Sequence, residues 1–295
     1  MPSEPRLLPI QIKVPFDKTI GWAFLASYSA CVVAAAGEPS LLAQCLAFLG
    51  IVIAFVHAVA VYGWRLAAIF LALCLVITFA MENLSIATGF PFGRYHFEVA
   101  PLLPHIGAVP LIVGPLYFAM GYFSWIIASI LLGDRQSAGQ GGQAFFLLAM
   151  PIVAAFVMVQ WDVVMDPPNA TLGHAWIWHD GGGYFGVPLS NFLGWYLTVW
   201  LFFQAFALVL WRADELGKKV RWGLAVAVVV LYASVALSLM TPYFTAPMSD
   251  VVVAGTHWNG HDLRETSVIV ALFTMVFTAV LAFLRLIAAP LRTAD

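Results

Sequence analysis

Long apolar runs dominate this chain, and they leave a membrane-embedded helical bundle as the fold they can build. A helix needs roughly 20 mainly apolar residues to cross the hydrocarbon core of a bilayer. Runs of about that length fall at 20–36, 41–62, 66–87, 108–132, 144–165, 188–211, 220–241 and 267–288. The expected fold is therefore an all-α polytopic membrane protein with about eight spans. The first run is the shortest and carries serines, so seven spans is the alternative. A polar segment, 1–19, precedes a single helical membrane domain over 20–288, and a short tail follows at 289–295. Pro115 and Pro151 fall inside spans, where proline kinks a helix, whereas Pro110 and Pro188 fall near helix starts. The chain is 62% hydrophobic and 9% charged, against about 25% charged in soluble domains. With a net charge of −2 it offers no basic surface for nucleic acid. Cys31, Cys45 and Cys74 all lie in apolar runs and read as small packing residues.

Basic residues test the span count independently, because cytoplasmic loops are enriched in Lys and Arg. With eight spans and a cytoplasmic N-terminus, eleven of the 13 basic residues fall at the cytoplasmic side; Arg94 and Arg264 do not. Both termini are then cytoplasmic, and the expected location is a prokaryotic cytoplasmic membrane. The same assignment puts three long loops, 88–107, 166–187 and 242–266, on the outer side. They hold most of the His and many of the Gly, Trp and Asp residues, so one site at the outer membrane boundary is expected.

Three acids stand out there. Glu82 lies about 16 residues into the third span, roughly 24 Å along the helix at 1.5 Å per residue. An ionised, unpaired acid at that depth costs several kcal/mol. It therefore stays protonated or pairs with a donor such as Arg94 or a histidine. Asp162 and Asp166, spaced i,i+4, share one face of the fifth helix, and Pro167 and Pro168 are expected to end that helix. Two carboxyls at this spacing can share a proton or divide acid and base roles. The following loop brings Trp176, Trp178, His179, Asp180 and Tyr184, then Asn191 and Trp195 in the sixth helix. Asn191 is placed to orient a water or an acid. The glycines at 181–183 and 186 lack the strand-to-helix setting of a phosphate loop.

Metal ligation is the competing chemistry. His257 and His261 are spaced i,i+4 near Asp250 and Asp262, and His174 and His179 are five apart. The segment "THWNGHD" contains an interior glycine and reads as loop, and repeated histidine boxes are missing. No metal or cofactor is expected.

Glu82 with Gly89, Phe92, Gly93 and Tyr95, "VP" at 109–110, Asp166-Pro167, Trp176 and Trp178, and Tyr184, Gly186, Val187, Pro188, Asn191, Gly194 and Trp195 form a pattern. Over roughly residues 50–240 the chain resembles the membrane carotenoid biosynthesis proteins of the carotenoid 1,2-hydratase type. The resemblance implies addition of water across the C1–C2 double bond of an acyclic ψ end, giving a tertiary 1-hydroxy carotenoid without a redox cofactor. The implied substrate is an acyclic or monocyclic carotenoid drawn from the bilayer, with water as co-substrate and other carotenoid enzymes as possible associates. In chemical terms, Asp166 or Glu82 would donate the proton, with Asp162 or the other acid orienting water. Tyr95, Trp176, Trp178, Tyr184 and Trp195 would line the end-group pocket. The alternatives are a metal-dependent membrane lipid hydroxylase, a lipid or proton carrier, and a structural member of a pigment complex.

Overall fold

The computed structural model describes residues 18–36, 40–98, 103–135, 141–247, 249–253 and 255–288. Most of the polar N-terminal segment and the C-terminal tail thus lie outside the described residues. Among the described residues, seven helices are long and apolar enough to cross a membrane. They are α2 (Leu41–Tyr62), α3 (Trp64–Thr88), α4 (Val113–Leu132), α5 (Gly142–Pro167, extended by a π turn Pro168–Leu172), α6 (Leu189–Arg212), α7 (Trp222–Thr245) and a last rod. That rod joins α8 (Gly260–Ala271), a π turn (Leu272–Val276) and α9 (Phe277–Ala288). The first apolar run forms α1 (Lys18–Ala34), 17 residues long. At 1.5 Å per residue it measures about 26 Å, short of the roughly 30 Å hydrocarbon core. It leans on α7. The protein is a polytopic all-α membrane protein.

Three short antiparallel ribbons sit between the helices: β1 (Tyr95–Phe97) with β4 (Trp176–Trp178), β2 (His105–Ile106) with β3 (Val109–Pro110), and β5 (Val251–Val253) with β6 (Thr256–Trp258). They occupy the three long loops, and Phe185 meets Trp258 at 5.7 Å between ring centroids, joining the second loop to the third.

Helix α4 is the centre of the bundle, buried without a break from Tyr117 to Ala128. It is apolar all round, as a helix enclosed by other helices must be. Gly114 lets its neighbours close in, since a Cβ there would lie 2.7 Å from both Leu75 and Phe79 of α3. Along its length the core is largely aromatic, with Phe70, Phe118, Tyr122, Trp125, Phe202, Phe203 and Phe206 linked by ring contacts.

Several expected boundaries move. Helix α4 begins at Val113, so Pro110 lies in β3, and Pro115 falls in the first helical turn, where no intrahelical donor is needed. The regular α5 ends at Pro167 as expected, but the rod does not stop there, since Pro168 opens a π turn to Leu172. Both proline backbones are helical (φ −56° and −64°), close to the angle that proline fixes anyway. The lost N–H bonds are absorbed by widening to a π turn, closed by Gly173 N–H to Pro168 O at 2.9 Å. Asn169 Nδ2 donates to Met165 O at 2.7 Å. The last rod starts at Gly260, not 267, because Asn259 caps it by accepting from Asp262 N at 3.0 Å. His261 and Asp262 are thus helical and His257 lies in β6; only Asn259 of "THWNGHD" remains between elements.

Candidate active site

The site is built where α3 and α5 end and α4 and α6 begin. Helix α3 stops at Gly89, which adopts the left-handed conformation (φ 84°) that favours glycine at a helix C-terminus. The chain then folds back over the helix it has just left. The Ser85 hydroxyl accepts from Phe92 N at 3.1 Å and donates to Gly93 O at 3.0 Å. Ser190, in the first turn of α6, donates to Phe92 O at 2.9 Å. These bonds aim β1 across the top of α3. There β1 pairs with β4, with Tyr95 opposite Trp178 and Phe97 opposite Trp176.

Side chains alternate along a strand and directly opposed residues share a face. One face of the ribbon therefore carries four rings: Tyr95, Phe97, Trp176 and Trp178. The other carries His96 and Ile177. The four-ring face turns inward: Tyr95 and Trp178 are buried and His96 is exposed. Tyr95 and Trp178 lie 4.8 Å apart between centroids.

Glu82, Asp162 and Asp166 are all buried beneath this cap. Two phenols donate to Glu82: Tyr95 to Oε2, and Tyr117 of α4 to Oε1 at 2.7 Å. Trp176 Nε1 donates to Asp166 Oδ1 at 2.5 Å. Asn191 of α6 spans the aspartate pair, its Nδ2 donating to Asp166 Oδ2 at 2.6 Å and Asp162 Oδ2 at 3.1 Å. Trp195, one turn further along α6, stacks on Tyr117 at 4.1 Å with 16° between planes. Burial pushes the Tyr95 phenol well above its ordinary pKa, and the Glu82 and Asp166 carboxylates add to the shift. Tyr95 therefore keeps its proton and donates it.

Most residues singled out in the sequence converge here: Glu82, Tyr95, Asp162, Asp166, Trp176, Trp178, Asn191 and Trp195. Tyr184 does not bond to the acids; it packs edge-on against Phe192 at 5.6 Å and pairs with Val187. Arg94 is not the partner of Glu82. It forms an exposed two-point ion pair with Asp180, including Nε to Oδ2 at 2.9 Å, which holds the Asp180 carboxyl below its usual range. The geometry is set by the ribbon, because His179 N donates to Arg94 O at 2.9 Å. The sequence reading missed Tyr117. Its one signal is a hydroxyl near the start of an apolar helix, a feature it shares with Tyr122 further along, whose phenol instead bonds His57 at 2.7 Å.

Ion-holding groups lie elsewhere. His261, Asp262 and Glu265 offer ligand atoms within 4.8 Å of one another, with both acids exposed. His257 lies 3.6 Å from Asp250. On the outer side of the cap, His96 Nδ1 and His179 Nε2 are 2.8 Å apart.

Three carboxyls in one water-poor site do not all ionise together, since each uncompensated buried charge costs several kcal/mol. The arrangement thus sets acid groups beside aromatic faces, which attract cations.

Comparison with known proteins adds the following. Over 136 residues the chain is 25% identical to the bisanhydrobacterioruberin hydratase of Haloarcula japonica, covering 45% of this chain and 42% of that protein. The match thus spans about two fifths of the relative's length. No solved structure matches at a significant level. A family model described as "Carotenoid biosynthesis protein" matches residues 42–258, a stretch that takes in all three acids, both strands of the cap, and α2 to α7. By that match, this chain belongs to the carotenoid biosynthesis protein family.

Proposed function

We propose that the protein is a carotenoid hydratase. It adds water across the C1–C2 double bond of an acyclic ψ end group and yields a tertiary 1-hydroxy carotenoid. The observation that carries this reading is the buried cluster of Glu82, Asp162 and Asp166 beneath an aromatic cap. An isolated trisubstituted alkene is a weak base, so a carboxylic acid must bring the proton to it directly. The carboxyl O–H bond breaks as a C2–H bond forms, and the alkene π pair leaves C1 as a tertiary cation. Carboxylates and the faces of Tyr95, Trp176, Trp178 and Trp195 stabilise that charge in a site from which water is largely excluded. A water oxygen then bonds to C1 and its surplus proton returns to the carboxyl cluster. Electrons and atoms balance without an oxidant or metal. The relative's own name supports this reaction class.

The substrate lives in the bilayer, and the spans surrounding the site face that same lipid. With α1 counted as an eighth span, the distribution of Lys and Arg favours both termini on the cytoplasmic side. The polar N-terminal segment, the membrane domain and the C-terminal tail then form one functional unit in a prokaryotic cytoplasmic membrane.

Expression in a host that accumulates lycopene tests the reading. Each reacted end should add the mass of one water, and growth in H₂¹⁸O should place the heavy oxygen in the tertiary alcohol. Unchanged pigment, with the protein present in the membrane and several acyclic substrates offered, refutes the assignment. Label arriving from ¹⁸O₂ instead would identify an oxygen-dependent hydroxylase.

A further inference from the structure

We infer that Asp162 is the proton donor, acting through Oδ1, while Glu82 remains a carboxylate beside the developing cation; this rests on the hydration reading above.

Glu82 has both oxygens filled by phenol donors. Its carboxylate is the acceptor that each of these two hydroxyls has in the site. A proton on Glu82 would have to share one of these two oxygens with a phenol donor, so the ionised form is the one that accepts both bonds unhindered. Asp166 also has both oxygens engaged, by Trp176 and Asn191. Asp162 differs. Its Oδ2 accepts from Asn191, but Oδ1 is, among the described residues, the one buried carboxylate oxygen without a hydrogen-bond partner. A proton placed on it displaces no existing bond.

The cap supplies a second, independent sign. Trp178 Nε1 is likewise buried without a partner, although its ring lies against Tyr95, whose hydroxyl reaches Glu82. Hydroxyls of Ser29, Thr78, Ser124 and Thr198 are also buried without a partner, but Asp162 Oδ1 and Trp178 Nε1 belong to the acid cluster and its cap, where an unpaired polar atom suits a ligand or a water. Asp162 Oδ1 offers an acid, and Trp178 Nε1 offers a donor to a water oxygen. Together they supply the two reactants that hydration needs.

The Oδ1–H bond of Asp162 breaks and the hydrogen bonds to C2 with the alkene π pair. C1 becomes cationic and is stabilised by Glu82. Water attacks C1, and the proton it sheds restores the Asp162 acid.

Two readouts separate this assignment from the hydratase reading itself. The first is the infrared C=O stretch of a protonated carboxyl in the purified, detergent-solubilised protein, which needs no substrate. Asp162→Asn is nearly isosteric and keeps an acceptor for Asn191. It should abolish the band, whereas Glu82→Gln and Asp166→Asn should retain it. The second is deuterium exchange in D₂O. Asp162→Asn should lower both hydration and deuterium delivery to C2 by about a hundred- to ten-thousand-fold, the usual weight of a general acid. Glu82→Gln should lower deuterium exchange and alcohol formation together, because the cation it stabilises is common to both, while leaving the infrared band in place. A band that survives in Asp162→Asn, or that vanishes in Glu82→Gln, overturns the assignment, as does undiminished exchange in a folded Asp162→Asn protein. Should the wild type hydrate no carotenoid, the proposed function fails, and the infrared result still decides where the proton sits.

Discussion

Tyr117→Phe is the most informative single change at the site. It removes one hydroxyl and leaves the ring, so the stack on Trp195 at 4.1 Å survives. What is lost is the 2.7 Å bond to Glu82 Oε1, made between two buried groups. A hydrogen bond to a charged partner contributes about 1.5–3 kcal/mol, and leaving a buried acceptor unmet carries a similar penalty. At roughly 2–4 °C per kcal/mol for a large domain, Tm should fall by about 3–12 °C. Thermal unfolding in mild detergent, followed by tryptophan fluorescence, reads this directly. A cycle with Glu82→Gln isolates the pair, and the coupling energy should be about 0.5–3 kcal/mol. An unchanged Tm, or an equal loss in both backgrounds, would refute the claim that Tyr117 acts through Glu82.

Other consequences are equally checkable. Trp176→Phe keeps an aromatic ring opposite Phe97 but removes the donor to Asp166; the initial rate of hydrated pigment formation should drop about ten- to hundred-fold, equivalent to about 1.5–3 kcal/mol. Gly194→Ala should destabilise by about 1–3 kcal/mol in chemical or thermal unfolding, because a Cβ there would lie 2.8 Å from Phe92 Cδ1 and from the Pro91 carbonyl carbon. The exposed Arg94–Asp180 pair should support the cap only while Asp180 is ionised. Since Arg94 lowers the Asp180 pKa, that support is complete above the ordinary carboxylate range and fades as pH falls through the lowered value. Exchange of the His179 amide, corrected for its intrinsic rate, should then quicken at acid pH and at high salt, and Asp180→Asn should abolish the pH effect.

Much of this was legible in the sequence because it is local. Apolar runs report spans, and i,i+4 spacing puts Asp162 and Asp166 on one face without reference to the rest of the chain. An acid in oil reports itself by its cost, so Glu82 was found. The partners were harder, because partners are not local. Arg94 is near Glu82 in sequence, but the ribbon carries it to Asp180, 86 residues away. Tyr117 looks like any tyrosine in an oily helix until α4 is packed against α3. Proline signals at 167–168 marked the end of the regular α-helix but not of the rod, because a π turn carries it on to Leu172.

The cap ribbon has a consequence for how this protein can vary. Its register is three residues long, yet it decides which way four rings point and where the Tyr95 and Trp176 donors land. Slipping either strand by one position would turn its aromatic side chains outward and its alternate residues inward, removing a donor from an acid in the same move. Length changes in the loops that flank the ribbon are therefore neutral to the chemistry only when Tyr95 still meets Trp178. A graft of this site into another bundle has to carry both strands together, since neither strand holds its acid's donor in place alone.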